Sequence, residues 1–153
     1  MEKELFVFDL DFTIWDAGGT WCDATNPPYH AEKGEVYDSS GKWIRLYPDV
    51  RKILAKLKEM EKLIAIASRT YEPDWANNLL QLFNIDHFFI KKEIYPDIKT
   101  THFRNLQEHF QIDYNQMVFF DDEYRNVEEI SRHGVECVLV RNGLSMGMVE
   151  RYL

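Results

Sequence analysis

Two cysteines in 153 residues are too few for a disulfide framework. Cys22 and Cys137 also stand too far apart, in segments of different kinds, to make a metal knuckle, so both are expected to be reduced, Cys137 in a buried strand and Cys22 in a loop. Long apolar runs are missing. Leu63-Ile64-Ala65-Ile66-Ala67 is among the longest, far short of a bilayer span, and Glu2, Lys3 and Glu4 do not resemble a signal peptide. The expectation is a cytoplasmic chain without a membrane partner, the nucleus remaining open. Basic charge is scarce as well: 18 Lys and Arg against 26 Asp and Glu give a formal net charge of −8 with no basic run to offset it, which disfavours nucleic acid. No repeat, low-complexity tract or heptad seam is present, and a monomer is the default expectation.

What is present fits a globular domain spanning residues 1–153, long enough to bury roughly two-thirds of its unfolded surface. Apolar runs at Leu5–Phe8, Leu63–Ala67, His87–Ile90, Met117–Phe120 and Cys137–Val140 alternate with segments of helical period. Continuous apolar character marks strands covered on both faces. The intervening stripes Val50/Ile53/Leu54/Leu57, Trp75/Leu79/Leu82/Phe83, Phe103/Leu106/Phe110 and Val127/Ile130 predict helices. Pro73 suits a first helical turn and Gly134 a helix end, and Ser145–Leu153 can close the chain with a short helix. The fold class is therefore α/β: a three-layer, doubly wound, mostly parallel sheet.

Residues from about Trp15 to Tyr47 break the alternation, with Gly18-Gly19, Pro27-Pro28, Gly34 and Gly41 set among Trp15, Trp21, Tyr29, Tyr37 and Trp43. The stretch is too long for an ordinary loop and too aromatic for disorder, which predicts a small β-flap over the strand ends rather than a large cap domain. Its aromatic residues can stack on a substrate ring or simply pack against the sheet. His30 can touch substrate or tie down its loop.

Ligands of open parallel sheets bind outside the carboxyl ends of the strands. The residues that follow the apolar runs are Asp9, Asp11 and Thr13; Ser68, Arg69 and Thr70; and Asp121, Asp122 and Glu123. Unpaired buried carboxylates are costly, so an Asp-x-Asp at a strand end calls for a cation or for catalytic work. Asp9 with an acidic residue from the fourth run can hold one Mg²⁺, which prefers hard oxygen ligands. Ser68 and the turn behind it can offer donors to an anion beside that metal. Lys99, near the start of the third helical stripe, is a candidate for a fixed positive charge, with Lys91 and Lys92 as competitors. Bland readings exist for each: a turn, a cap, an acidic first helical turn, a solvated lysine.

Taken together the chain resembles the haloacid dehalogenase (HAD) superfamily, and within it the magnesium-dependent phosphatase family, through VFDLDFTIW, NPPYH, RLYPDV, ASRT, IYPDIKTTHF and QMVFFDDEYRN in that order. The resemblance implies a HAD-like Rossmannoid fold and a Mg²⁺-dependent phosphatase. It implies Asp9 as nucleophile and metal ligand, Asp11 as general acid and base that ligates through its main-chain carbonyl, and Thr13 as a brace. Ser68, Arg69 and Thr70 would hold the phosphoryl oxygens and Lys99 their charge. Asp122, followed four positions later by Asn126, would be the second metal carboxylate, with Asp121 supporting. The implied partner is a phosphorylated substrate, a protein phosphotyrosine or a sugar phosphate. A phosphotransferase and a receiver-like phospho-switch are the alternatives, the latter disfavoured because the third run ends in Ile90-Lys91-Lys92 rather than in an aspartate.

Overall fold

The computed structural model describes all 153 residues. In chain order the elements are β1 (Leu5–Phe8), β2 (Trp15–Asp16), β3 (His30–Glu32), β4 (Glu35–Tyr37), β5 (Trp43–Leu46), α1 (Val50–Glu59), β6 (Leu63–Ser68) and α2 (Pro73–Leu82). These are followed by β7 (Lys91–Ile94), α3 (Lys99–Phe110), β8 (Met117–Asp121), α4 (Tyr124–Ser131), β9 (Glu136–Leu139) and α5 (Met146–Val149). The central sheet has five strands in the order β7-β6-β1-β8-β9, all parallel. Its register pairs Phe8 with Ile66 on one side and with Phe120 on the other, so β1, β6 and β8 reach their carboxyl ends side by side. That alignment is what lets residues distant in sequence meet.

Two apolar layers sandwich the sheet. Phe6, Phe8, Ile64, Ile66, Val118 and Phe120 face α1 and α2, where Phe8 and Phe120 stack at 5.1 Å. Leu5, Val7, Ala65, Ala67, Met117 and Phe119 face Phe103 and Leu106 of α3 and Ile130 of α4. Even and odd positions of one strand thus feed opposite layers, which explains the unbroken apolar runs.

Three expectations need correction. The third strand is Lys91–Ile94, not His87–Ile90, because Asp86–Phe88 turns as a 3₁₀ helix and the strand lies at the sheet edge. An edge position tolerates charge, and Lys91 and Lys92 pair with Glu93 and Asp86 there. The buried stripe of α2 runs Ala76/Leu79/Leu80/Phe83, leaving Trp75 and Leu82 half-buried. Cys137 lies in the half-buried edge strand β9 rather than in a fully buried one; both thiols are free.

The segment after β1 forms a second, antiparallel sheet in the order β2-β5-β4-β3. Trp15, Val36 and Ile44 of this flap sink into the α1/α2 layer, and Trp15 stacks on Phe83 at 6.1 Å. Asp38 fixes the flap's turn by accepting hydrogen bonds from the backbone of Asn26, Ser40 and Lys42 at 3.0, 2.9 and 2.8 Å. The chain after β9 clasps the flap's base, with Leu144 N donating to Thr13 O at 3.0 Å. Gly143, at φ +85°, packs there against Tyr47: a Cβ would stand 2.1 Å from the ring. Gly143→Ala is therefore expected to cost on the order of 2–3 kcal/mol, from strain at positive φ added to overpacking, read as a drop in Tm.

Candidate active site

Lys99 is the first residue of α3, and its ammonium, 1% exposed, runs back beneath the ends of three strands. It lies 3.2 Å from Asp9 Oδ1 at the end of β1, 3.2 Å from Asp121 Oδ2 at the end of β8, and donates to Ala67 O in β6. The face of Phe119 lies 5.1 Å beneath it. Burial works against the charged ammonium, yet Asp9 and Asp121 outweigh that effect and push its pKa up. Lys99 is thus a fixed cation, and Lys91 and Lys92 are excluded by their pairs on β7.

One lysine does not balance the carboxylates around it. Oxygen atoms of Asp9, Asp121 and Asp122 lie within 4.8 Å of one another. Burial, followed by the charge of Asp121, drives the Asp9 carboxyl well above its usual range despite Lys99. Asp122 is raised to about 6, by burial first and then by Asp121 against a hydrogen bond with Asp9. Two acids held away from their ordinary state by burial and by negative neighbours form a donor set for a divalent cation.

The two consecutive aspartates have different surroundings. Asp121 is fully buried, accepts from Glu123 N at 2.9 Å and from Asn126 Nδ2 at 3.0 Å, and carries Lys99. Asp122 is half-buried and lines the cavity that opens over the strand ends. Asn126 serves Asp121 and in turn accepts from Arg69 Nη1 at 3.3 Å, so Arg69, Asn126, Asp121, Lys99 and Asp9 form one connected chain.

The cavity holds about 560 Å³, with Asp9, Asp11, Ser68, Lys99 and Asp122 in its floor and Trp21 and Tyr71 in its wall. Ser68 Oγ accepts from Thr70 N at 3.3 Å, which leaves its hydroxyl proton available to an anion. The Thr70 side chain turns inward instead: its Oγ1 accepts from Glu72 N at 3.2 Å, ahead of α2, and meets Cys22 Sγ at 3.6 Å. Both the Thr70 amide and its hydroxyl are thus engaged within the protein. Thr13 likewise braces through its backbone, N to Leu10 O at 3.1 Å, while its buried hydroxyl has no partner.

Asp11 is held from the flap. Its Oδ1 accepts from Trp15 Nε1 at 2.8 Å and from Cys22 N at 2.9 Å. Burial nevertheless dominates and lifts its pKa to about 6. His30 plays no part here: it sits exposed on β3, the outer strand of the flap, stacked at 5.8 Å on Tyr37 and 3.9 Å from Glu32. Asp97, which follows the corrected third strand, accepts from Ile98 N at 2.7 Å and stands outside the carboxylate cluster. An aspartate therefore does follow the third strand, but it takes no part in the cluster.

Several contributors were not anticipated. Trp15 stands four residues beyond Asp11, a spacing visible in sequence only once the turn between them is known. His102, three residues after Lys99 on α3, is fully buried with Nε2 at 3.1 Å from both Ser68 O and Tyr95 O, tying two strand-end loops together. Burial, then the Lys99 charge, depresses its pKa. Trp21 and Tyr71, 55% and 77% exposed, form an aromatic wall contributed by the flap and by the loop after β6.

The sheet order, the insertion after β1 and the acidic carboxyl edge place the protein in the HAD-like class. The L-2-haloacid dehalogenase of Xanthobacter autotrophicus superposes with a TM-score of 0.64 at 15% identity, over 97% of this chain and 81% of that one. The phosphatase-domain part of BF1531 from Bacteroides fragilis, solved complexed with Mg, gives 0.65 at 19% identity over 92% of this chain and 37% of that one. At these identities the likeness concerns the fold alone. Sequence comparison goes further: residues 3–153 match the Acid Phosphatase family, and the chain belongs to that family. It is 43% identical over 152 residues to Magnesium-dependent phosphatase 1 of Homo sapiens, covering 98% of this chain and 85% of that one. It is 36% identical over 142 residues to a HAD-like hydrolase superfamily protein of Schizosaccharomyces pombe, covering 84% and 80%.

Proposed function

We propose that this chain is a Mg²⁺-dependent phosphomonoesterase that works through an aspartyl-phosphate on Asp9. The observation that supports it most directly is the cluster of Asp9, Asp121 and Asp122 with a single buried lysine, whose excess negative charge fits one divalent cation. Asp9 and Asp122 would hold Mg²⁺ together with the Asp11 carbonyl, and the ion supplies Lewis-acid neutralisation of phosphoryl oxygens.

Asp9 attacks phosphorus while Ser68 and the backbone behind it hold the phosphoryl oxygens and Lys99 offsets their charge. As the P–O bond breaks, its electron pair stays on the leaving oxygen, which takes a proton from Asp11. The same carboxylate then accepts a proton from the water that cleaves the aspartyl-phosphate. The relatives' family and the name of the human relative support the Mg²⁺-dependent phosphatase part of this reading.

Open access to the cavity and the aromatic wall of Trp21 and Tyr71 favour a phosphotyrosine side chain of a protein as substrate, with small sugar phosphates as the second class. The test is phosphate release from phenyl phosphate, phosphotyrosyl peptides and sugar phosphates with Mg²⁺ and with chelator. Chelation is expected to remove activity, and kcat/KM to be highest for the tyrosyl compounds. Turnover indifferent to chelator would sink the metal reading. Phosphoryl transfer to added alcohols in place of release would make the protein a phosphotransferase, and a stable phosphoprotein without turnover would make it a switch.

A further inference from the structure

Asp11 must deliver its proton from the oxygen that faces substrate, and something has to decide which oxygen that is. The two N–H groups that donate to its carboxyl both end on Oδ1: Trp15 Nε1 at 2.8 Å and Cys22 N at 2.9 Å. An indole N–H and a backbone N–H can only donate. Oδ1 must therefore be the acceptor oxygen of the protonated carboxyl, and the proton is placed on Oδ2, the oxygen left for the cavity that Asp11 lines.

Trp15 is built for this. The chain from Leu10 to Trp15 folds into one tight turn in which Thr13 N, Ile14 N and Trp15 N all donate to Leu10 O, at 3.1, 2.8 and 3.3 Å. Phe12 N donates to Trp15 O at 2.8 Å, with Phe12 at φ 62°, a strained conformation for a non-glycine residue. The turn brings the indole back beside the carboxyl four residues earlier. The ring itself is wholly buried and clamped on Phe83, so its N–H has little freedom to point elsewhere.

We propose that Trp15 is a positioning residue for the general acid: its indole N–H, seconded by the Cys22 amide, fixes the carboxyl rotamer and places the transferable proton of Asp11 on Oδ2. This inference rests on the phosphatase reading above and on Asp11 as its acid. Without Trp15 the carboxyl can turn or carry its proton on Oδ1, and the leaving oxygen departs unprotonated. The loss then depends on how badly that oxygen needs a proton.

The experiment compares kcat/KM for phenyl phosphate, whose phenol has an ordinary pKa of about 10, with 2,4-dinitrophenyl phosphate, whose phenolate leaves unaided. Because kcat/KM reports events only through the first irreversible step, the base role of Asp11 in the second step does not enter. Asp11→Asn is measured first and should lose roughly 10²–10⁴-fold on phenyl phosphate and little on the dinitrophenyl ester. Absence of that contrast overturns the acid role, and the inference with it.

Given the contrast, Trp15→Phe should lose about 10–100-fold on phenyl phosphate and less than about 3-fold on the dinitrophenyl ester, and should add nothing in the Asp11→Asn background. An equal loss on both esters, or a further loss on top of Asp11→Asn, would assign Trp15 to packing alone.

Should Trp15→Phe fail to fold, the tryptophan is replaced by benzothienylalanine, which swaps only N–H for sulfur. Cys22 offers a native ligation junction for a synthetic segment 1–21. Full activity of that variant on phenyl phosphate would overturn the proposal.

Discussion

Asp9→Asn is expected to lower kcat by at least about 10⁴-fold with every phosphomonoester, because no other side chain in the cavity can replace the attacking oxygen. The same substitution should make the metal-free protein more stable. Asp9 and Asp122 both have folded pKa values above their ordinary ones, Asp122 at about 6. Through these two groups the native state binds more protons than the unfolded chain between about pH 4 and 6, and their contribution to stability falls as the pH rises through that window. Replacing Asp9 removes the carboxyl that burial, Asp121 and Asp122 hold above its ordinary range, which flattens that slope and raises Tm in chelator by a few degrees, on the scale of about 2–4 °C per kcal/mol. Added Mg²⁺ should stabilise the parent far more than the variant. Melting curves across pH with and without Mg²⁺ decide it: a variant less stable than the parent in chelator would refute the account of the cluster as a site of excess negative charge.

Lys99→Met should have the opposite effect on the fold. The substitution keeps most of the buried stem but leaves Asp9 and Asp121 without their cation, 3.2 Å from where it stood. Breaking a buried pair in this way typically costs about 3–5 kcal/mol, which corresponds to a Tm lower by roughly 10 °C. The deficit should shrink at low pH, since the Asp9 carboxyl, already raised by burial and Asp121, loses the lowering effect of Lys99 and takes up a proton there. Activity should fall by about 10²–10³-fold even at temperatures where the variant is folded. Lys99→Arg is not expected to restore either property, because a planar fork does not reproduce the compact ammonium that meets Asp9, Asp121 and Ala67 O at one point. A Lys99→Met protein as stable as the parent at neutral pH would contradict the pairing.

The acidic edge was legible in the sequence because strand-end position is a local property. Asp9 and Asp11 follow an apolar run, as do Ser68 and Asp121, and the parallel sheet brings such ends together. The order of Asp121 and Asp122 was legible only through resemblance; their surroundings, one locked to Lys99 and Asn126, the other open to the cavity, required the fold. The third strand was misplaced because an edge strand made of Lys-Lys-Glu-Ile has no apolar signature, whereas the neighbouring Phe88-Phe89-Ile90 has one without being a strand. His30, left open in sequence between touching substrate and tying down its loop, is an exposed residue of the flap's outer strand.

By itself the sequence determined the layers of the sheet, the family and most of the carboxylates, since each depends on residue type and short-range period. Tertiary structure alone decided which lysine is buried, which oxygen of Asp11 is held by Trp15 and Cys22, and that Trp21 and Tyr71 share one wall. Those outcomes depend on distances between segments far apart in the chain, set by strand register and by how the flap packs, and neither is encoded in any single stretch of residues.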